Sequence, residues 1–233
     1  MSHNTHAPQR DPRALAGFID HTILKPEASR AEVARYCDEA RANSFASVCV
    51  NAVHAGFVAG RLAGSPVKTC VVIGFPLGAG GAAAKAAEAS LAIAAGAQEI
   101  DMVLDIGALI EGDLARCRDD LAAVRAATTG TVLKVILETC LLTDAQKEAG
   151  CRLSSEVGAD FVKTSTGFST GGATVADIAL MRRVVGPDMG VKASGGVRDA
   201  ATAWAMIDAG ASRIGASASL AIVGGKAPAA AGY

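Results

Sequence analysis

The chain has 233 residues, of which 51% are hydrophobic and 19% charged, with a formal net charge of −1. That length suits one large α/β domain or two small ones, and scattered Lys and Arg residues leave no electrostatic footprint for nucleic acid or an anionic membrane surface. The mean hydropathy of +0.33 comes largely from alanine, and the most apolar stretch, residues 80–97, is broken by Lys85 and Glu88, so no run reaches the ~20 residues of a membrane span.

Residues 1–12 (MSHNTHAPQRDP) are polar, contain proline and offer no apolar segment for a secretion signal, so a disordered N-terminal tail and a cytoplasmic protein are expected. Short apolar runs then recur at 18–24, 46–50, 67–75, 98–104, 131–137, 160–164, 190–193 and 212–214. Several are nearly continuous in apolar residues, as strands covered on both faces should be. Between them, residues 30–43 place Val33, Ala34 and Cys37 on one stripe; residues 82–95 open after a glycine-rich loop; and residues 114–127 align Leu114, Leu121 and Val124. Thr143 with Asp144, Thr174 and Asp199 are candidate N-caps of three further helices. About eight strand–helix units with short connections predict a single (β/α)8 barrel over residues 13–224, followed by a flexible C-terminal tail at 225–233. The alternative, an open doubly wound sheet, usually carries a GxGxxG turn after its first strand. Here that turn reads DHTILKP, with no glycine.

Six cysteines, at 37, 49, 70, 117, 140 and 151, form no CxxC pair and no zinc-like cluster. Free thiols and no metal site are expected.

Four of the eight lysines lie inside strand-like apolar runs: Lys68, Lys134, Lys163 and Lys192. Such lysines either pair with carboxylates as structural ion pairs or work in an active site. Lys163 and Lys192 each follow two apolar residues and precede a small polar turn, which puts them near the C-terminal ends of adjacent strands six and seven, on the face where barrel active sites form. Two ammonium groups crowded into a partly desolvated pocket lower one another's pKa, and a neutral lysine amine attacks carbonyls. Asp101, wedged between Ile100 and Met102, is either a buried salt-bridge partner, Lys134 being one option, or a proton shuttle. Asp105, four residues on, ranks behind it. The glycine-rich segments at 194–196 and 214–217 follow the last two strands, where barrels commonly bind phosphate through backbone N–H groups.

These segments resemble the 2-deoxyribose-5-phosphate aldolase family. The likeness runs through DHTILKP at 20–26, VCVN at 48–51, VIGFPLG at 72–78, EIDMVLDIG at 99–107 and KVILETC at 134–140. FVKTSTGF at 161–168 and GVKASGG at 190–196 identify the family most specifically. The resemblance implies reversible aldol cleavage of 2-deoxy-D-ribose 5-phosphate to acetaldehyde and D-glyceraldehyde 3-phosphate through a lysine imine, within deoxyribonucleoside catabolism, with no metal or organic cofactor. It makes Lys163 the imine-forming amine, Lys192 the lysine that lowers its pKa, and Asp101 the acid–base group acting through water. It places Lys134 and Cys49 behind or beside the site, Thr166 and Gly167 against the sugar, and Gly195, Gly196, Gly215 and Ser217 around the phosphate. Homo-oligomers are common in such families.

Two positions depart from the family pattern. Ala218 stands where some members have a second serine, a loss that Ser219 could offset, and Phe168 stands where some have a lysine. Tyr233 resembles a C-terminal tyrosine that folds over the site in some members. The competing readings are an aldolase with a different donor, such as dihydroxyacetone phosphate, and a non-catalytic sugar-phosphate-binding barrel.

Overall fold

The structure is a computed structural model and describes residues 10–225. A 3-10 helix (Pro12–Phe18) leads into β1 (Ile19–Ile23), α1 (Arg30–Asn43), β2 (Ser47–Asn51), α2 (Ala55–Leu62), β3 (Lys68–Ile73), α3 (Ala82–Ala94), β4 (Glu99–Val103) and α4 (Ile106–Glu111). Then come α5 (Leu114–Ala127), β5 (Val132–Ile136), α6 (Asp144–Glu156), β6 (Phe161–Lys163), α7 (Val175–Val185), β7 (Gly190–Ser194), α8 (Ala200–Asp208), β8 (Arg213–Ala216) and α9 (Ser219–Gly224). The strands pair in parallel in chain order and β8 closes onto β1, so the described residues form a single (β/α)8 barrel.

Local chemistry accounts for where the elements begin. Ser29 and Glu32 form a reciprocal capping box at the start of α1, and Thr143 with Gln146 forms another at α6. Thr174 accepts the Asp177 N–H at 3.0 Å and Asp199 accepts the Thr202 N–H at 2.7 Å, as their positions in the sequence suggest. Residues 10–12, expected in the tail, belong instead to the barrel body. Asp11 caps the 3-10 helix by accepting the Arg13 N–H at 2.9 Å, and Arg10 pairs with Asp208 at 2.7 Å. The segments 1–9 and 226–233, including Tyr233, lie outside the described residues.

Alternation along each strand divides the side chains between two environments. One set faces outward: Ile19, Val48, Val50, Val71, Ile100, Leu133, Val135, Val162, Val191 and Ile214 meet Val33, Val58, Leu121, Val124, Ile178 and Met181 of the helices in one continuous core. The other set faces the barrel axis. A typical barrel fills that axis with branched apolar residues. Here a small cluster of Leu24, Cys49, Cys70 and Val72 with Phe75 shares it with charged residues. In-register pairs bring Asp101 beside Lys134, Lys163 beside Lys192, and Lys192 beside Arg213.

These interior charges govern how the fold responds to pH. Burial by itself would raise the Asp20 and Asp101 pKa values. The ammonium groups of Lys192 and Lys134 beside Asp20, and of Lys134, Lys163 and Lys192 beside Asp101, outweigh burial and hold both carboxyls well below the usual range. Burial likewise opposes the charges on Lys134 and Lys192, yet Asp101 and Asp20 push both above ordinary lysine values. Depressed carboxyl pKa values stabilise the fold above the unfolded carboxylate pKa of about 4, and that contribution is lost as pH falls below it. Raised lysine pKa values stabilise it below about 10.4, and that contribution is lost as pH climbs past it. Urea unfolding across pH is therefore expected to show a plateau from roughly pH 5 to 9 that falls on both sides. Asp101→Asn should lower the plateau and flatten its acid limb; an unchanged acid limb would contradict this assignment.

Candidate active site

Lys163 is the last residue of β6, where the strand ends and the chain turns into the 164–168 loop. Its Nζ donates to Oδ2 of Asp101 at 2.8 Å, and Nζ of Lys192 donates to the same oxygen at 2.7 Å. The other Asp101 oxygen accepts from Lys134 Nζ at 2.7 Å. Three ammonium groups thus converge on one fully buried carboxylate. Two further carboxylates compensate them: Asp20 accepts from Lys192 and from Arg213, the latter at 2.7 Å, and Glu99 lies 2.6 Å from Lys134. Lys134, Lys163, Lys192 and Arg213 therefore face Asp20, Glu99 and Asp101, an excess of one positive charge when all are ionised.

A cavity of about 490 Å³ opens above this cluster at the C-terminal ends of the strands. Of the three lysines, Lys163 lines it, while Lys134 and Lys192 are sealed beneath. Thr166, Gly167, Gly195, Gly196, Gly215 and Ser217 share its wall. Gly195 and Gly196 have φ of +82° and +80°, a left-handed conformation that exposes backbone N–H groups and disfavours any side chain. Gly215 has a different physical reason. A Cβ there would lie 2.4 Å from Ser194 Oγ and 3.0 Å from Lys192 Cε, so the missing side chain is the space Lys192 crosses to reach Asp101.

The Thr166 loop is held from β5. Glu138, just beyond that strand, is buried with φ of +59°. Its carboxylate accepts the Thr166 N–H at 3.3 Å and the Thr166 hydroxyl, whose oxygen accepts the Phe168 N–H at 3.0 Å. Phe168 meets the Phe75 ring edge-on at 5.3 Å on the cavity wall.

Several residues stand elsewhere than expected. Cys49, expected behind or beside the site, is off the cavity wall and wholly buried with Cys70 in the barrel's apolar cluster below the opening, while three other residues stand apart from the site. Ser219 cannot stand in for the hydroxyl absent at Ala218: it is buried, donating to the Ala216 carbonyl at 3.0 Å and lying 2.8 Å from His21 Nδ1. Asp105 caps α4 through the Ala108 N–H at 2.9 Å and pairs with Arg116 at 3.0 Å, away from the lysines. Lys68 opens β3 and is exposed.

Other members of the site were overlooked in the sequence: Asp20, Glu99, Arg213 and Glu138 around the charges, and Lys25, Arg35, Tyr36 and Arg198 on the cavity wall. The first four carry a weaker form of the signal that marks Asp101, with an apolar neighbour on one side only. The last four have none, since they come from loops and one helix face. Two donor groups, Cys49–Cys70–Asp101 and Asp20–Cys70–Glu99, gather within 4.8 Å. Their carboxylates already face ammonium and guanidinium groups, which is poor chemistry for holding a cation.

Comparisons with known proteins agree with this geometry. The chain is 60% identical over 216 residues to the deoxyribose-phosphate aldolase of Brevibacillus brevis, covering 93% of this chain and 98% of that one. A structure assigned to a deoxyribose-phosphate aldolase of Coccidioides immitis superposes with a TM-score of 0.90 at 40% identity, covering 94% of this chain and 87% of that one. The tetrameric deoxyribose phosphate aldolase of Aeropyrum pernix gives 0.85 at 34% identity, covering 91% of each chain. Residues 15–225 match the DeoC/LacD family aldolase domain. A closed parallel barrel with a lysine-lined cavity at its C-terminal face, matched by relatives over nearly its whole length, makes this chain a member of the DeoC/LacD family of aldolases.

Proposed function

We propose that the protein reversibly cleaves 2-deoxy-D-ribose 5-phosphate to acetaldehyde and D-glyceraldehyde 3-phosphate through an imine on Lys163. The observation that carries this reading is that Lys163, of three lysines sharing Asp101, is the one that reaches the cavity. It has one carboxylate contact where Lys134 and Lys192 each have at least two. Its positive charge is the least compensated of the three, and its conversion to the neutral amine leaves the cluster balanced.

The neutral amine adds to the C1 carbonyl of the sugar, and loss of water gives a protonated imine. The C3 hydroxyl then gives up its proton, the C2–C3 bond breaks, and its electron pair flows into the imine to form an enamine. Glyceraldehyde 3-phosphate departs. Protonation of the enamine carbon and hydrolysis of the imine release acetaldehyde and restore Lys163. The imine is the electron sink, so a group that moves protons completes the chemistry. Asp101, beside Lys163 and reached through water, is the proposed shuttle. Lys192 donates to the same carboxylate oxygen and so shares it with Lys163. The backbone N–H groups of Gly195 and Gly196, with Gly215 and Ser217, receive the phosphate, and Thr166 and Gly167 border the sugar. Lys134 supports Asp101 from behind. By likeness to the Aeropyrum pernix enzyme we propose a homo-oligomer, acting in the cytoplasm in deoxyribonucleoside catabolism. Among the described residues no helix is long and apolar enough to cross a membrane, and all six cysteines are free.

Borohydride reduction in the presence of acetaldehyde, followed by peptide mass mapping, is expected to leave an ethyl group on Lys163. Labelling by dihydroxyacetone phosphate alone would change the donor, and labelling by neither would overturn the imine. Lys163→Ala should lower turnover by on the order of 10⁴-fold or more with the fold intact by circular dichroism. Lys192→Met is expected to slow turnover with the fold intact by circular dichroism; wild-type turnover would refute the pairing. Glu138→Ala should raise KM for the sugar phosphate about tenfold by releasing Thr166, with Glu138→Gln retaining most of the affinity; equal effects of the two variants would mean that the carboxylate's hydrogen bonds do not position the loop.

A further inference from the structure

The phosphate end of the cavity has a second wall that the glycine motifs do not supply. Strands β8 and β1 are neighbours in register, with Asp20 beside Gly215 and His21 beside Ala216. The segment after β1 and the face of α1 therefore stand beside Ser217 and Ala218 on the cavity wall. That wall carries two cationic side chains, Lys25 and Arg35, together with Tyr36. Phe168, an apolar ring 51% exposed, lines the same cavity.

Arg35 is held for a purpose its exposure does not suggest. Its side chain is 58% exposed, yet its guanidinium donates to Glu39 at 2.7 Å and lies over the Tyr36 ring at 5.1 Å. Tyr36 in turn stacks on His21 at 4.1 Å. The His21 ring is fixed at both nitrogens, 2.8 Å from Glu39 and 2.8 Å from the Ser219 hydroxyl, and that hydroxyl donates to the Ala216 carbonyl. The arginine is thus tied, through one stacked pair and one serine, to the loop that follows β8. Glu39 engages one edge of the guanidinium, whose planar fork carries further donors able to grip an oxyanion. The carboxylate of Glu32 on the same wall is occupied by the Ser29 N–H and hydroxyl, each at 2.9 Å.

We propose that Arg35, assisted by Lys25, forms the β1–α1 side of the phosphate subsite and sets this enzyme's preference for phosphorylated over unphosphorylated sugar. The inference rests on the deoxyribose-phosphate reading above. Arg35 and Lys25 add positive charge from the β1–α1 side, alongside Arg198 after the glycine turn, to a cavity with alanine at 218 and phenylalanine at 168.

The test is kcat/KM for 2-deoxyribose 5-phosphate and for 2-deoxyribose in the wild type and in Arg35→Ala, Arg35→Lys, Lys25→Ala and the double alanine variant. The preference for the phosphate ester is expected to fall about tenfold in Arg35→Ala and further in the double variant, with Arg35→Lys recovering part of it, since one charge-assisted hydrogen bond is of that size. Inorganic phosphate binding, measured by calorimetry on the same proteins, should weaken in parallel. A wild-type preference in Arg35→Ala, or equal losses on both sugars, would overturn the proposal. A wild type that cleaves neither sugar would remove the functional reading instead, and the calorimetric comparison would still decide whether Arg35 holds phosphate.

Discussion

The carboxylate of Asp101 accepts hydrogen bonds from three ammonium groups, and much of the barrel's interior exists to make that arrangement tolerable. A buried ion is costly unless it is paired and hydrogen-bonded. Asp20 and Glu99 supply the pairing from β1 and β4, Arg213 bridges the two, and the Ser47 hydroxyl occupies a further Asp20 lone pair at 2.7 Å. These groups come from β1, β2, β4, β5, β6, β7 and β8, so the network forms only when the sheet closes. Stability is supplied elsewhere, by the apolar shell between strands and helices. This division of labour lets the axis hold a cluster with one surplus positive charge while the outer layer keeps the fold together.

That surplus links the fold to the chemistry. A barrel packed with aliphatic side chains would be more stable and inert. Here the charged interior ends at one amine, Lys163, placed where β6 stops and the cavity begins. Lys163 and Lys192 stand side by side in the sheet, yet Lys163 lines the cavity while Lys192 is fully buried beneath it. Gly215 keeps the channel for Lys192 open. The glycines of the site thus do two jobs, one as conformational freedom at Gly195 and Gly196 and one as empty volume at Gly215.

The architecture was legible in the chain because alternating strand and helix patterns are local. All eight apolar runs became strands, with ends shifted by a few residues. The third stops at Ile73 because Gly74 takes φ of +56°, and α2, α4 and α9 carry too little periodicity to be legible because each is short, eight, six and six residues. Among candidate site residues, Lys163, Lys192, Asp101 and Lys134 were visible as charges inside apolar runs. Asp20, Glu99, Arg213 and Glu138 carry only half of that mark, an apolar neighbour on one side and a polar one on the other.

By itself the sequence determined the alternation of elements, the caps that start the helices, the placement of charge on inward strand positions, and the family likeness. Which charges share a carboxylate, which amine meets the cavity, and which side of the cavity carries Arg35 were decided only by the tertiary structure. The physical reason is closure: contacts between β1 and β8, or between Lys192 and Asp20 172 residues apart, depend on register and strand length around a ring. No local pattern in the chain encodes them.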